Sequence, residues 1–180
     1  MPGSRLTAYI AIASMLALSA LKAAEPEDEL KAAVVLSFIR HAEWKPSRAP
    51  GITIRVGVTG RPGFREALKR TLEGKTVGNS LVRVIDLETD MDTPCCHIVY
   101  FATTKNSEAK HRLSMPWAAR AITIGEADQF IENGGAVAVH LMDGRIRFEV
   151  NLREVQRVGA SISSKLLRFG RIRVPVGGGG

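Results

Sequence analysis

Short β-branched and aliphatic runs alternate with helical stretches along most of this chain, and few folds accept that order. Ile52–Val58, Leu81–Ile85, Cys96–Phe101 and Ala121–Ile124 read as strands. Between the first two, Pro62–Leu72 reads as a helix, with Phe64, Leu68 and Leu72 at spacings of four and Gly74 in the stop position. Ser107–Leu113 and Glu126–Ile131 read as two shorter helices. Such alternation predicts parallel strands joined by helical crossovers. Cys96–Phe101 has the apolar character of a strand covered on both faces. A longer helix over Glu27–Trp44 precedes the strands. Glu27, Asp28 and Glu29 stand at its start, where the helix dipole favours negative charge. Its Ala32–Ile39 stretch is apolar on most sides, as in a helix buried by its own domain or by a partner. The expected architecture is α/β: a mostly parallel sheet with flanking helices, a Rossmann-like three-layer arrangement. It ends in an antiparallel hairpin and two short helices.

The hairpin can be derived residue by residue. Asp143-Gly144 is a two-residue turn signal. With those two in the loop, Met142 pairs with Arg145, Leu141 with Ile146, His140 with Arg147, Val139 with Phe148 and Val137 with Val150. Strand side chains alternate, so Val137, Val139, Leu141, Ile146, Phe148 and Val150 share one face. A one-residue slip would expose that face, so the register is well specified. Beyond it, Asn151 is placed to cap a helix, with Glu154 in the capping-box position and Gly159 at its end. A last helix from about Ser163 to Phe169 is expected to turn Leu166, Leu167 and Phe169 inward.

Charge and the N-terminus decide the compartment. The 180 residues carry 25 Lys and Arg against 18 Asp and Glu, a net charge of +7. That balance first points to nucleic acid. Residues 1–24, however, read as an export signal peptide, with a retained membrane anchor as the alternative. Arg5 precedes an uncharged run of 16 residues, Leu6–Leu21, shorter than the roughly 20 needed to span a bilayer. Export separates the chain from the genome, so no nucleic-acid partner is expected. The basic residues Lys165, Arg168, Arg171 and Arg173 point instead to a membrane surface or an acidic partner face. Residues 25–174 read as a single domain, and 175–180 as a flexible Gly-rich tail.

Chemistry-bearing residues are few. Gly57, Gly60 and Gly63 follow a strand and precede a helix, with Arg61 among them. A loop of this kind can let backbone N–H groups approach an anion, or can simply be a tight turn. It makes a small-molecule or anion-binding module the alternative function, with Gly60, Arg61 and Gly63 as its site. Cys95 and Cys96 are adjacent, too close along the chain for an ordinary mutual disulfide. They read as two buried strand residues or as a redox-sensitive intermolecular link. The histidines His41, His97, His111 and His140 form no helical ligand pair, and no metal or cofactor is expected. His41 reads as a packed residue. No nucleophile stands in a Gly-x-Ser-x-Gly turn, so no catalytic residue is assigned. Asp86, Glu88, Asp90 and Asp92 read as a solvated acidic loop.

Several motifs occur in a telling order: Lys31-Ala32-Ala33-Val34-Val35-Leu36-Ser37-Phe38 with Glu43-Trp44, Gly74-Lys75-Thr76-Val77, and Cys96-His97-Ile98-Val99-Tyr100. Ile122-Thr123-Ile124, Phe130 and Gly134-Gly135 follow. Asp143-Gly144-Arg145-Ile146-Arg147-Phe148-Glu149-Val150-Asn151-Leu152 and Ser163-Ser164-Lys165-Leu166-Leu167 close the set. In this order and spacing the chain resembles the YfiR family of exported bacterial proteins, from about residue 27 to 172. The resemblance implies a periplasmic α/β regulator without catalytic residues. It implies binding to, and inhibition of, a membrane-bound diguanylate cyclase through its periplasmic sensory part, and so control of cyclic di-GMP and biofilm. It also implies a capacity to dimerise. The sequence departs from the family pattern at Lys45, which separates Trp44 from Pro46, at His41, and in lacking the cysteine partners of some members. Phe38, His41 and Trp44 are the candidate partner-contact residues.

Overall fold

The computed structural model describes residues 26–45, 51, 53–89 and 96–174. The alternation becomes an eight-stranded sheet built from β2 (Thr53–Gly60), β3 (Thr76–Val77), β4 (Ser80–Asp86), β5 (Ile98–Ala102), β6 (Ile122–Gly125), β7 (Val137–Met142), β8 (Arg145–Val150) and β10 (Arg171–Ile172). Two further strands, β1 (Ala42–Trp44) and β9 (Ala160–Ile162), pair as a separate antiparallel ribbon. The order across the large sheet is β10-β8-β7-β6-β5-β2-β4-β3. Neighbours run parallel except in the β3–β4 and β7–β8 pairs. The helices are α1 (Pro26–His41), α2 (Pro62–Leu72), α3 (Asn106–Leu113), α4 (Leu152–Arg157) and α5 (Ser164–Leu167), with a 3-10 turn at Ala118–Arg120.

Strand β5 shows why there are three layers. All five of its residues are buried, and their side chains alternate between faces. Ile98 and Tyr100 join a core with Phe38 of α1, Phe64 and Leu68 of α2, and Phe148 of β8. Val99 and Phe101 join a second core with Ala109 of α3, Ala118 and Phe130. Aromatic contacts tie helix to sheet on the first face. Phe64 stacks on Tyr100 with ring centroids 4.1 Å apart, and Phe38 meets Phe148 edge-on at 5.3 Å. Such pairs add roughly 0.5–1.5 kcal/mol beyond the area they bury.

The hairpin adopts the derived register, from Met142↔Arg145 to Val137↔Val150. Asp143 and Gly144 both have positive φ, at 51° and 69°, which the primed two-residue turn demands. The shared apolar face is buried only as far as Val139 and Phe148. Leu141 is exposed and Ile146 half-buried, so the core ends before the tip.

Four expectations are corrected. The first helix stops at His41 rather than Trp44, because Ala42–Trp44 pairs with Ala160–Ile162. Glu126–Ile131 is not helical. The chain wraps around the Phe130 ring, which lies where a Cβ on Gly125 or Gly135 would be, 2.3 and 2.2 Å away, and Gly135 N–H donates to the Phe130 carbonyl. No capping box forms at α4: the Asn151 side chain makes no cap bond, and Glu154 pairs with Arg157. Leu166 is buried, but Phe169 points out and is 75% exposed. The last helix ends at Leu167, and Gly170 then brings its backbone against the Phe148 ring, which fixes the turn. The 1–24 segment, the 175–180 tail, Cys95, Asp90 and Asp92 lie outside the described residues.

Candidate functional site

Parallel strands bring their C-terminal ends to one edge, and that edge holds a buried ionic cluster. Glu126 directly follows β6, Arg61 follows β2, and Tyr100 sits within β5. The first turns of α1 add Glu27, Asp28 and Lys31. The Glu126 carboxylate accepts from Lys31 Nζ at 2.7 Å, from Arg61 Nη1 at 2.9 Å and from the Tyr100 hydroxyl at 3.0 Å. Lys31 also meets Glu27 at 2.5 Å, and Arg61 donates to Asp28 at 2.7 Å. Burial alone would raise the Glu126 carboxyl pKa. Hydrogen bonds from Arg61 and Lys31 outweigh it and hold the group below its ordinary value. Burial and the Glu126 charge push the Tyr100 hydroxyl well up, so it stays a donor. Every member thus has a partner of opposite charge or a hydrogen bond, the condition for a buried network to hold together.

Beside the cluster, strand order reverses direction between β2 and β5. From β2 the chain passes through α2 to β4 on one side, while β5 leads to β6 on the other. Such switch points open a crevice at the strand ends. Here it has a volume of about 450 Å³, with Gly60, Arg61, Glu88, Thr103, Lys105 and Arg112 in its lining. The expected anion loop lies in this crevice. Gly60 has φ +101°, and a Cβ there would lie 2.3 Å from the Ala102 carbonyl oxygen, so glycine is required. Its N–H, however, already donates to Glu88 Oε1 at 2.9 Å. The same oxygen accepts from the Thr59 hydroxyl at 2.6 Å and from Arg112 at 2.5 Å. Burial would raise the Glu88 pKa, but the Thr59 and Gly60 bonds and the nearby Arg112 lower it. The protein's own carboxylate therefore stands where an external anion would, and Arg61 is turned to Asp28 and Glu126. Gly63 lies within α2, and Gly57 packs in β2 against Leu87 and Cys96. Of the acidic residues read as a solvated loop, Asp86 is ion-paired to Arg65 at 2.8 Å and Glu88 to Arg112.

The opposite end of the sheet holds Trp44. Strand β1 places its ring edge-on to His97, which precedes β5, with centroids 5.9 Å apart. Trp44 is half-buried and borders a shallow hollow of about 480 Å³, together with Glu43, Lys45, Gln156, Ala160 and Ser161. His41 is also half-buried, its Nδ1 2.8 Å from the Ser37 carbonyl oxygen. Phe38, grouped with these two from the sequence, is fully buried against Phe148 and presents no surface. Cys96 is buried as well. Lys165, Arg168, Arg171 and Arg173 are exposed at the chain's end, and Arg173 is ion-paired to Glu132 and Glu149. Among the described residues, no cluster of three His, Cys, Asp or Glu is placed to hold a metal ion.

Lys31, Glu126 and Tyr100 are not singled out as site residues by any sequence motif, and Glu88, expected in a solvated loop, is instead bonded to Thr59, Gly60 and Arg112. One signal was present: Lys31 opens an otherwise apolar helical run, and a cation at such a place needs a buried anion.

Among curated proteins, no sequence matches this chain. The sequence pattern of one family matches residues 28–171, the whole span from the ionic cluster on α1 to the edge strand β10. Across that span run the mostly parallel sheet, its central strand β5 and the Asp143-Gly144 hairpin described above, and the chain belongs to the YfiR/HmsC-like family.

Proposed function

We propose that this protein is a periplasmic regulator, not an enzyme, that binds an inner-membrane diguanylate cyclase and holds it inactive. The observation that carries this reading is the family match over residues 28–171. No helix among the described residues is long and apolar enough to cross a membrane, which suits a domain that meets its partner from the aqueous side. The mechanism is a population shift. The regulator binds the inactive arrangement of the cyclase more tightly than the active one, and only that difference moves the equilibrium. Losing the regulator raises cyclic di-GMP and favours biofilm.

The contact surface we assign is the hollow beside Trp44, with the half-buried His41 three residues earlier in the chain as a second contact. A half-exposed Trp beside a hollow is the kind of side chain that dominates interface energetics. The anion-module reading draws no support from the crevice, where Glu88 takes the Gly60 N–H. Affinity capture of the tagged chain together with a detergent-solubilised diguanylate cyclase from the same cell tests the proposal. The bound cyclase is expected to convert GTP more slowly than the free one. A cyclase that neither binds nor slows would refute it.

A further inference from the structure

Among the described residues, six large apolar side chains are exposed; five of them lie on the β7–β8 hairpin or on the chain beyond α5, and two of these, Met142 and Phe169, line one groove. Leu141 and Met142 stand at the hairpin tip; Phe169, Ile172 and Val174 stand on the chain beyond α5. Met142, Arg147, Arg168, Phe169 and Arg171 border a common groove of about 520 Å³, with Phe148 also in its lining. Exposed cations lie on the same elements: Arg147, Arg168 and Arg171 in the groove itself, with Arg145 on β8 and Lys165 on α5. None of these five makes an ion pair with a described residue, whereas most arginines elsewhere do. Unpaired cations and unburied apolar groups on one edge of a sheet demand an occupant that answers both.

We propose that this edge docks on an anionic lipid bilayer. Phe169 and Met142 enter the headgroup boundary, and the cations beside them meet lipid phosphates. Each guanidinium offers a fork of donors that fits phosphate oxygens. The groove lining carries Arg147, Arg168 and Arg171 against one carboxylate, Glu149, which Arg173 already holds, so its excess charge calls for an anionic occupant. Here cations and apolar side chains are interleaved, the pattern of surfaces that lie in a membrane interface. The inference does not depend on the cyclase reading.

The test is co-sedimentation of the exported chain, purified from its native host, with vesicles. One set is phosphatidylcholine alone and the other contains phosphatidylglycerol. Binding is expected to the anionic set only and to weaken with salt. Soluble glycerol phosphate at matched phosphate should not compete, which separates a bilayer from a free phosphate. Each cation removed should weaken binding about fivefold, so the double variant R168E/R171E should lose it while keeping the wild-type Tm. F169S should weaken binding at every salt concentration. Equal binding to both vesicle sets, no binding to either, competition by glycerol phosphate, or retained binding by R168E/R171E would each overturn the proposal. So would vesicle-independent loss of cyclase control in R168E/R171E, which would mark a protein-binding surface.

Discussion

The Lys31 ammonium and the Glu126 carboxylate lie 2.7 Å apart, both buried, although 95 residues separate them in sequence. This pair fastens the first turns of α1 to the C-terminal edge of the sheet. Removing Glu126 leaves the buried Lys31 with the more exposed Glu27 and takes the acceptor from the buried Tyr100 hydroxyl, which costs more than the pair contributes. Replacing Glu126 by Leu is therefore expected to destabilise the fold by about 3–5 kcal/mol in urea unfolding. Adding Lys31→Met to that variant should restore part of the loss. Equal or additive losses in the double variant would contradict the coupling.

Acid should weaken the fold through carboxylates whose pKa is held down. Glu126, Glu88 and Asp86 all titrate below their ordinary values in the folded chain. A depressed carboxylate contributes stability above its unfolded pKa and loses it as pH falls through the folded one. Stability should thus be level near neutrality and decline below about pH 4.5, the ordinary Glu value. Urea midpoints measured from pH 7 to 3 check this, and Glu126→Gln should decline less steeply than wild type. Identical slopes would mean Glu126 is not held ionised.

Two glycines separate close approach from backbone conformation. At Gly60 a Cβ would sit 2.3 Å from the Ala102 carbonyl oxygen at φ +101°; at Gly74, with φ +74°, it would meet nothing within 4 Å. Gly74→Ala should cost about 1–2 kcal/mol, the left-handed backbone strain alone. Gly60→Ala should cost clearly more, because β2 and β5 must separate. Thermal unfolding of the two variants compares them directly.

The Trp44 surface makes a functional prediction. Trp44→Ala should weaken the grip on the cyclase by at least about 2 kcal/mol, roughly thirtyfold, if Trp44 anchors the interface. Phe38→Ala should instead destabilise the fold by about 3–5 kcal/mol, since Phe38 is core. Titration calorimetry and urea unfolding, run on both variants, distinguish the roles.

Local rules were legible where one mechanism dominated. Asp143-Gly144 set the hairpin register because the turn type and the period-two apolar face agree. Cys96–Phe101 reads as a strand covered on both faces, and β5, Ile98–Ala102, is buried throughout. What stayed hidden depended on tertiary partners. Ala42–Trp44 continues a helical pattern in sequence, and only Ala160–Ile162 makes it a strand. Phe169 lies on an apolar stripe, yet Gly170 packing on Phe148 turns it outward. The Lys31–Glu126 pair joins residues too distant for any spacing rule, and the Glu88 carboxylate reaches Gly60 from a loop 28 residues on.

Cyclic di-GMP in cells tests the central claim most directly. It should be measured in the wild type, in a strain lacking this gene, and in a strain lacking both this gene and the partner cyclase. The account predicts a rise in the single deletion that returns to the wild-type level or below in the double deletion. An unchanged level in the single deletion, or a rise that persists without the cyclase, would contradict it.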